Sequence, residues 1–210
     1  MTSPGLRRLS TPRAAAIAGV LFALLFGTAL ILIRTALPEG GAEGAQWLDG
    51  ASTRLRIAST LVPFAGIAFL WFIGVVRDGF GRYEDKFFSS VFIGSGLLFL
   101  AMMFAASAVG MALSHSGPET ATFGPALLLA FSKTYALRMA AVFMISLATI
   151  WLKTGLMPRW LVGATYLVAV ALLLASDISM WLTLAFPIWV LVVSLLLLAK
   201  AGVIDLDRED

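Results

Sequence analysis

Long apolar runs separated by short polar segments dominate the pattern of this chain. Each run is close to the roughly 20 residues that an α-helix needs to cross the hydrocarbon core of a bilayer. Because lipid offers no hydrogen-bond partners to an open strand edge, we expect these runs to be helices. The sequence therefore predicts an all-α, polytopic transmembrane bundle that forms a single domain. The six predicted spans are residues 14–33, 57–76, 88–113, 125–152, 160–175 and 178–199.

The positive charges predict how these spans are oriented. Lys and Arg concentrate in the cytoplasmic loops of membrane proteins. The first outer loop is mixed, because Arg34, Arg54 and Arg56 face three acids there. The other Lys and Arg residues outside the spans fall in the N-terminal segment, in alternate loops and in the tail. These residues are Arg7, Arg8, Arg13, Arg77, Arg82, Lys86, Lys153, Arg159, Lys200 and Arg208. The pattern predicts both termini in the cytoplasm, with residues 34–53 as an outer loop and residues 200–210 as an acidic tail. We expect a multi-pass protein of the plasma membrane, such as a bacterial inner membrane.

The first apolar run has a second interpretation. Arg7 and Arg8 before an apolar stretch are also typical of a secretory signal peptide. The apolar core of a signal peptide is usually about 7–15 residues long, and this run is longer. No small-residue cleavage site follows it. The sequence favours an uncleaved first helix, and cleavage stays open as the alternative.

Composition narrows the function classes. Of the 210 residues, 60% are hydrophobic and only 13% are charged, which excludes a soluble globular enzyme, a disordered chain and a nucleic-acid-binding domain. The chain has no Cys and one His, so thiolate chemistry, iron–sulfur ligation and bis-His haem are excluded. It also lacks an HExxH motif, a P-loop and paired intramembrane carboxylates. We therefore expect no enzyme activity, no cofactor, no metal and no nucleic-acid partner.

The fourth predicted span contains the charges that point to a functional site. Lys133 lies near its outer boundary, and Arg138 lies roughly 7 Å deeper at 1.5 Å per residue. Charges inside a membrane are costly and often functional. Two interpretations stay open. In the first, the side chains reach the outer headgroups and form a structural ion pair. In the second, they line an outward-facing site for a solute or an ion.

Partners for these cations come from the outer turns. Asp177, between the fifth and sixth spans, is the acid nearest to the apolar boundary on that side. Glu119 is a further acid in the preceding outer loop, and Tyr135 offers a hydroxyl. His115 and Tyr166 are weaker candidates. The predicted outer polar cluster consists of Lys133, Tyr135, Arg138, Glu119 and Asp177.

Two prolines interrupt the spans at similar depths. Pro63 and Pro187 each lie about two turns from the outer end and each removes a helix hydrogen bond to the carbonyl four residues earlier. Those carbonyls belong to Ser59 and Thr183. Two kinks at matched depth would open an outward cavity, whereas the alternative is that proline is merely tolerated in membrane helices.

Small residues predict the close helix contacts. Ser90 with Gly94, and Ala106 with Gly110, are pairs spaced four apart that permit close backbone approach. Gly163 and the following Ala164 are expected to act similarly in the fifth span. The contacts would be intramolecular or, alternatively, a dimer face.

Two classes of function remain. The first is an accessory or assembly subunit that packs with other membrane proteins or with a second copy. The second is a small-solute or ion transporter or channel that uses the outer polar cluster. The first is favoured, because the spans carry so few polar residues and no acid near the midplane, where proton-coupled transporters usually place one.

Overall fold

The structure, a computed structural model, describes residues 11–37, 48–78, 86–116, 123–175 and 180–206. These residues are helical almost throughout and contain no strand. A π-turn (Ala130–Tyr135) joins α4 to α5, and a 3₁₀ turn (Met180–Leu184) precedes α7. The α-helices are α1 Thr11–Ala36, α2 Leu48–Asp78, α3 Lys86–Leu113, α4 Phe123–Leu129, α5 Ala136–Thr154, α6 Arg159–Ala175 and α7 Ala185–Leu206.

The multi-pass helical character predicted from the sequence is confirmed. Within the described residues, five helical stretches are long and apolar enough to cross a membrane. A sixth apolar stretch, Arg159–Leu174, is shorter. The five long stretches are Ala16–Ala36, Ser52–Asp78, Lys86–Leu113, Phe123–Thr154 and Trp181–Ala199.

The helices extend beyond the apolar runs that predicted them. Helix α2 begins at Leu48, although its apolar run begins only at residue 57, and α7 continues to Leu206. A helix can continue past the hydrocarbon boundary because its backbone hydrogen bonds are satisfied internally on either side of it. Both the outer loop and the tail therefore contribute residues to helices.

Packing follows the chain order around a ring. Helix α2 packs on α1, α3 on α2, α5 on α3 and α6 on α5, and α7 returns to pack mainly on α1. Two contacts tie the ends of neighbouring helices. Arg54 Nη1 donates to the carbonyl oxygen of Thr35 at 2.9 Å, at the α1–α2 end of the bundle. At the other end, Lys153 Nζ of α5 lies 4.5 Å from the ring centre of Phe88 in α3, a cation–π contact.

A cluster of phenylalanine rings fills the middle of the ring of helices. Each ring is almost fully buried and lies within the middle half of its apolar stretch. Neighbouring centroids are 4.6 Å apart for Phe22 and Phe69, and 5.2 Å for Phe69 and Phe143. We call this set the aromatic core: Phe22 and Phe26 of α1, Phe69 of α2, Phe99 of α3, Phe143 of α5 and Phe186 of α7. Five helices thus meet through rings, which favour edge-to-face and offset contacts.

Candidate outer polar site

The π-turn changes the geometry of the helix that carries the predicted site. Buried positions recur every four residues along it, at Gly124, Leu128, Ser132, Ala136 and Ala140. In a regular α-helix a spacing of four drifts by about 40° at each step. The π-turn takes up part of this drift, because the Ala136 N–H donates to the Phe131 carbonyl, five residues earlier. One face therefore stays directed into the bundle over both α4 and the start of α5.

The π-turn also alters the relation between the two cations. Five residues separate Lys133 from Arg138, which places them about 140° apart on a regular α-helix. The wider turn between them reduces that angle. Both side chains are partly buried, whereas Tyr135 is 54% exposed. The structure therefore keeps the cations at the bundle edge and directs Tyr135 outwards.

The predicted acidic partners lie outside the described residues. Glu119 belongs to the 117–122 segment and Asp177 to the 176–179 segment. The Arg138–Asp177 ion pair consequently stays a prediction. Lys133 and Arg138 do each have an interaction partner in the structure.

Ser132 adds a buried polar group to this region. Its side chain is only 1% exposed, and its hydroxyl has no hydrogen-bond partner among the described residues. It precedes Lys133 within the π-turn, and this turn packs on α3. A buried hydroxyl that makes no hydrogen bond is costly, so Ser132 is a polar group available to a bound molecule or water.

The most buried cation among the described residues is Arg34, which the sequence argument had placed in the outer loop. Its side chain is only 4% exposed at the end of α1. The sequence contained a signal for this burial, because Arg34 directly follows the apolar run that ends at Ile33. In the structure, α1 continues two residues beyond Arg34 to Ala36. The helical periodicity then directs it inwards together with Leu30 and Ile33.

His115 belongs to a helix end rather than to a ligand site. It is exposed, and its Nδ1 lies 3.0 Å from the Met111 carbonyl oxygen and 3.0 Å from Ser114 Oγ. The carbonyl can only accept, so a protonated Nδ1 would cap the last turn of α3. This local role agrees with its rank as a weaker candidate.

The turn of α2 that contains Pro63 packs against α3. Pro63 leaves the Ser59 carbonyl without its helix partner, and Ser107 of α3 donates its hydroxyl to that oxygen at 2.7 Å. Gly110 lies against the same turn, because a Cβ placed there would come within 2.5 Å of Ser59 Oγ. Helix α3 thus covers the freed carbonyl. Pro187 is buried beside Phe186 and is the third residue of α7, directly after the 3₁₀ turn. It therefore lies in the first helical turn, where proline is tolerated, rather than within a long helix as the sequence predicted.

Replacing Ser107 by Ala tests this arrangement. The change leaves the Ser59 carbonyl without its partner, and we expect a loss of about 0.6 kcal/mol, the average for hydrogen bonds between membrane helices. Thermal unfolding in detergent measures it. Ser90→Ala is the matched control, because Ser90 is exposed and, within the described part of the chain, bonds only to the Lys86 carbonyl of its own helix. Equal melting temperatures for the two variants would show that the Ser107 bond contributes nothing.

A second set of polar contacts joins α5, α6 and α7. Trp189 Nε1 donates to Thr165 Oγ1 at 2.9 Å, and Thr165 donates in turn to the Leu161 carbonyl at 2.8 Å. Tyr166 Oη lies 2.7 Å from Thr149 Oγ1. Thr149 lies one turn before Lys153, at the opposite end of α5 from Arg138. Tyr166 therefore belongs to this helix contact and not to the outer polar cluster.

The small residues divide into packed and outward-facing pairs. Ala106 and Gly110 are buried in contact with neighbouring helices, as predicted. The intramolecular contact predicted for Gly163 and Ala164 is not formed: both are exposed, and a Cβ on Gly163 would meet nothing within 4 Å. The reason lies in the phase of α6. Its inward face is formed by Leu161, Val162, Thr165, Ala169 and Leu172, which leaves Gly163 and Ala164 on the opposite side. The dimer-face alternative stays a prediction.

Ser90 and Gly94 likewise make no close helix contact. Ser90 is exposed, and a Cβ on Gly94 would meet nothing within 4 Å. Close approach in the first half of α3 occurs instead at Gly96, where a Cβ would come within 2.7 Å of Ile73 and 3.2 Å of Phe143.

Comparison with known proteins finds no relative whose site could be compared with this one. No protein-family model, no curated protein and no solved structure matches the chain.

Proposed function

We propose that this chain is an accessory or assembly subunit of the plasma membrane that works by packing with other membrane components. In this proposal six helices cross the membrane and both termini lie in the cytoplasm. The observation that carries the proposal is the aromatic core. It fills the centre of the bundle with Phe side chains from five helices, at the depth where a transport pathway would need polar groups.

Two buried hydroxyls near this core support the same function. Ser95 donates to the Val91 carbonyl at 2.6 Å, and Ser146 donates to the Val142 carbonyl at 2.9 Å. Each hydroxyl is thus bonded within its own helix and makes no contact with a polar pathway. A bundle with this interior offers its outward faces, rather than its centre, for interaction.

The six-span orientation can be tested directly because the chain has no native Cys. Single substitutions Ser3→Cys, Ala42→Cys, Ser116→Cys, Thr154→Cys and Glu209→Cys cover both predicted sides. In intact cells we expect a membrane-impermeant maleimide to label positions 42 and 116 only. Labelling of positions 3, 154 and 209 should require permeabilised cells. Helix α6 is the decisive case, since its 17 residues span about 25 Å against a core of roughly 30 Å. If α6 does not cross, position 209 will be labelled in intact cells.

The accessory role is tested by purification and reconstitution of the full chain. A tagged chain in mild detergent should bring down a membrane protein at constant stoichiometry. The same chain reconstituted alone in vesicles should show no flux of ions or small solutes above protein-free vesicles. A chain that purifies only as copies of itself and carries flux would contradict the proposal and favour the transporter class.

The transporter alternative rests on the outer polar site. Lys133 and Arg138 are partly buried beside a π-turn, a feature common at functional sites, and Ser132 adds an unbonded hydroxyl. In that alternative, Arg138 and Asp177 would face the outside together and bind the solute.

The Arg138–Asp177 pair gives a quantitative prediction. Arg138→Ala and Asp177→Ala should each lower stability or activity, because each leaves the other charge in an apolar setting. The double variant should be no worse than the worse single variant. Thermal unfolding of all four proteins measures the cycle. Fully additive losses would show that the two residues act independently.

A further inference from the structure

The hydroxyl of Ser132 differs from other buried hydroxyls of the bundle. Ser95, Ser146 and Thr165 each donate to the carbonyl four residues earlier in their own helix. For Ser132 that carbonyl belongs to Leu128, yet the hydroxyl makes no hydrogen bond within the described residues, although the residue is only 1% exposed. A buried hydroxyl without a partner is costly. Its partner therefore has to lie outside the preceding turn of its own helix.

The backbone of the π-turn has a hydrogen-bond acceptor to spare. The Ala136 N–H donates to the Phe131 carbonyl, five residues earlier. Helix α5, which begins at Ala136, continues with the α-helical spacing of four. Between the last five-residue bond and the first four-residue bond, the chain has one more carbonyl than N–H groups. One carbonyl of residues 132–135 consequently has no N–H of its own in the helix, and it lies within a turn of Ser132.

The neighbouring helix presents a small side chain at this level. Leu113 of α3 lies against the start of α4, and Leu128 lies against Gly110, so the two helices run antiparallel. One turn further along, Ser132 comes to the level of Ala106, which is buried and carries only a methyl group. The burial of Ser132 excludes an open pocket. An occupant of this place is therefore about the size of a water molecule.

The charges and the acceptor beside the turn argue against an ion. Lys133 follows Ser132 directly and Arg138 lies within the next two turns, so a cation would meet two like charges. An anion is disfavoured by the spare carbonyl, because a carbonyl oxygen can only accept hydrogen bonds. A small neutral molecule that both donates and accepts matches the hydroxyl and the carbonyl together.

We propose that the π-turn binds one water molecule, which accepts a hydrogen bond from the Ser132 hydroxyl and donates one to the spare carbonyl. Ordered waters commonly satisfy backbone groups that are freed inside membrane helices, and a water inserted into the ladder is a known cause of irregular turns. The water keeps the turn wide and so maintains the reduced angle between Lys133 and Arg138. The site depends neither on the accessory role nor on the orientation of the chain.

Removal of two buried, unbonded hydroxyls, one at a time, tests the site. Ser132→Ala takes a partner from the water, and its melting temperature in detergent should fall by about 2–4 °C, the shift for one lost hydrogen bond in a chain of this size. Ser194→Ala is the matched control, because Ser194 is equally buried and unbonded but lies in the regular helix α7, packed against Gly19. Its replacement should leave the melting temperature unchanged or raise it. A Ser132→Ala protein that melts at or above the wild-type temperature would contradict the proposal.

A second measurement separates a bound water from a hydroxyl that rotates towards the Leu128 carbonyl. In the full chain labelled with nitrogen-15, the amides of residues 132–136 should show nuclear Overhauser effects to a long-lived water, and Ser132→Ala should abolish them. The amides around Ser194 are the internal control, since a buried hydroxyl that exchanges with solvent would give signals there as well. Signals at both serines, or at neither, would overturn the proposal even if Ser132→Ala melts earlier. Partner capture and flux test the accessory role separately, so either proposal can fail without the other.

Discussion

Gly19→Ala is expected to destabilise the bundle, whereas Gly27→Ala on the same helix is expected to leave stability unchanged or raise it slightly. A Cβ on Gly19 would collide with Ser194 Oγ of α7 and would lie 2.9 Å from the ring of Phe72 in α2. Overpacking of this kind typically costs about 1–3 kcal/mol. A Cβ on Gly27 would meet nothing within 4 Å, and alanine is favoured over glycine inside a helix by up to about 1 kcal/mol.

Thermal unfolding in detergent compares these two glycine variants with wild type. Ser194→Ala combined with Gly19→Ala should recover part of the loss, because it removes the nearest obstructing atom while the Phe72 ring remains. Ser194 makes no hydrogen bond within the described residues, so its own replacement should cost little. If Gly19→Ala and Gly27→Ala had the same melting temperature, α1 and α7 would not approach each other closely at Gly19.

The glycines show how far the sequence could predict contacts. Their spacing correctly indicated Ala106 and Gly110 as a packing pair, yet the same rule gave no intramolecular contact at Gly163, which is exposed. Spacing identifies residues that permit close approach. It does not tell which face of a helix is turned towards the bundle when the helix is apolar on every side. In a soluble protein the polar face supplies that phase, and a membrane helix lacks it.

The proline kink shows a similar limit. The loss of a hydrogen bond at the Ser59 carbonyl follows from Pro63 and the helix geometry alone. Its replacement by the Ser107 hydroxyl does not, because Ser107 lies 48 residues away on another helix. Whether a cavity opens beside Pro63 therefore depends on a tertiary contact, and the sequence pattern does not contain that contact.

The outer polar site combines what was predictable with what was not. Lys133 and Arg138 are conspicuous in an apolar run, and the structure places both at the bundle edge. The π-turn between α4 and α5 has no counterpart in the periodicity argument, which assumes a constant 3.6 residues per turn. Arg34 was missed because a charge at the end of an apolar run was taken to mark the loop, although the helix continues beyond it.

The aromatic core yields the second large prediction. Phe69 is fully buried and contacts five other rings, two of them at 5.2 and 5.3 Å, from Phe143 and Phe99. Among membrane helices such contacts stabilise through van der Waals packing, because lipid is as apolar as the side chains. Phe69→Ala removes them at one point and leaves a cavity. We expect it to lower the free energy of unfolding by about 2 kcal/mol, the cavity cost alone for roughly 100 Å³ at about 24 cal/mol per Å³.

Two further variants decide whether packing is the cause. Phe64→Ala is the control, since Phe64 lies on the same helix and is 59% exposed, and it should change unfolding by much less. Phe69→Leu, which restores most of the volume, should lose less stability than Phe69→Ala.

The same proteins in vesicles test the proposed function. If the core is structural packing, Phe69→Ala will melt earlier without losing any flux, because wild type has none to lose. A Phe69→Ala protein as stable as Phe64→Ala would instead mean that the rings do not hold the helices together, and the argument against a transport pathway would lose its basis.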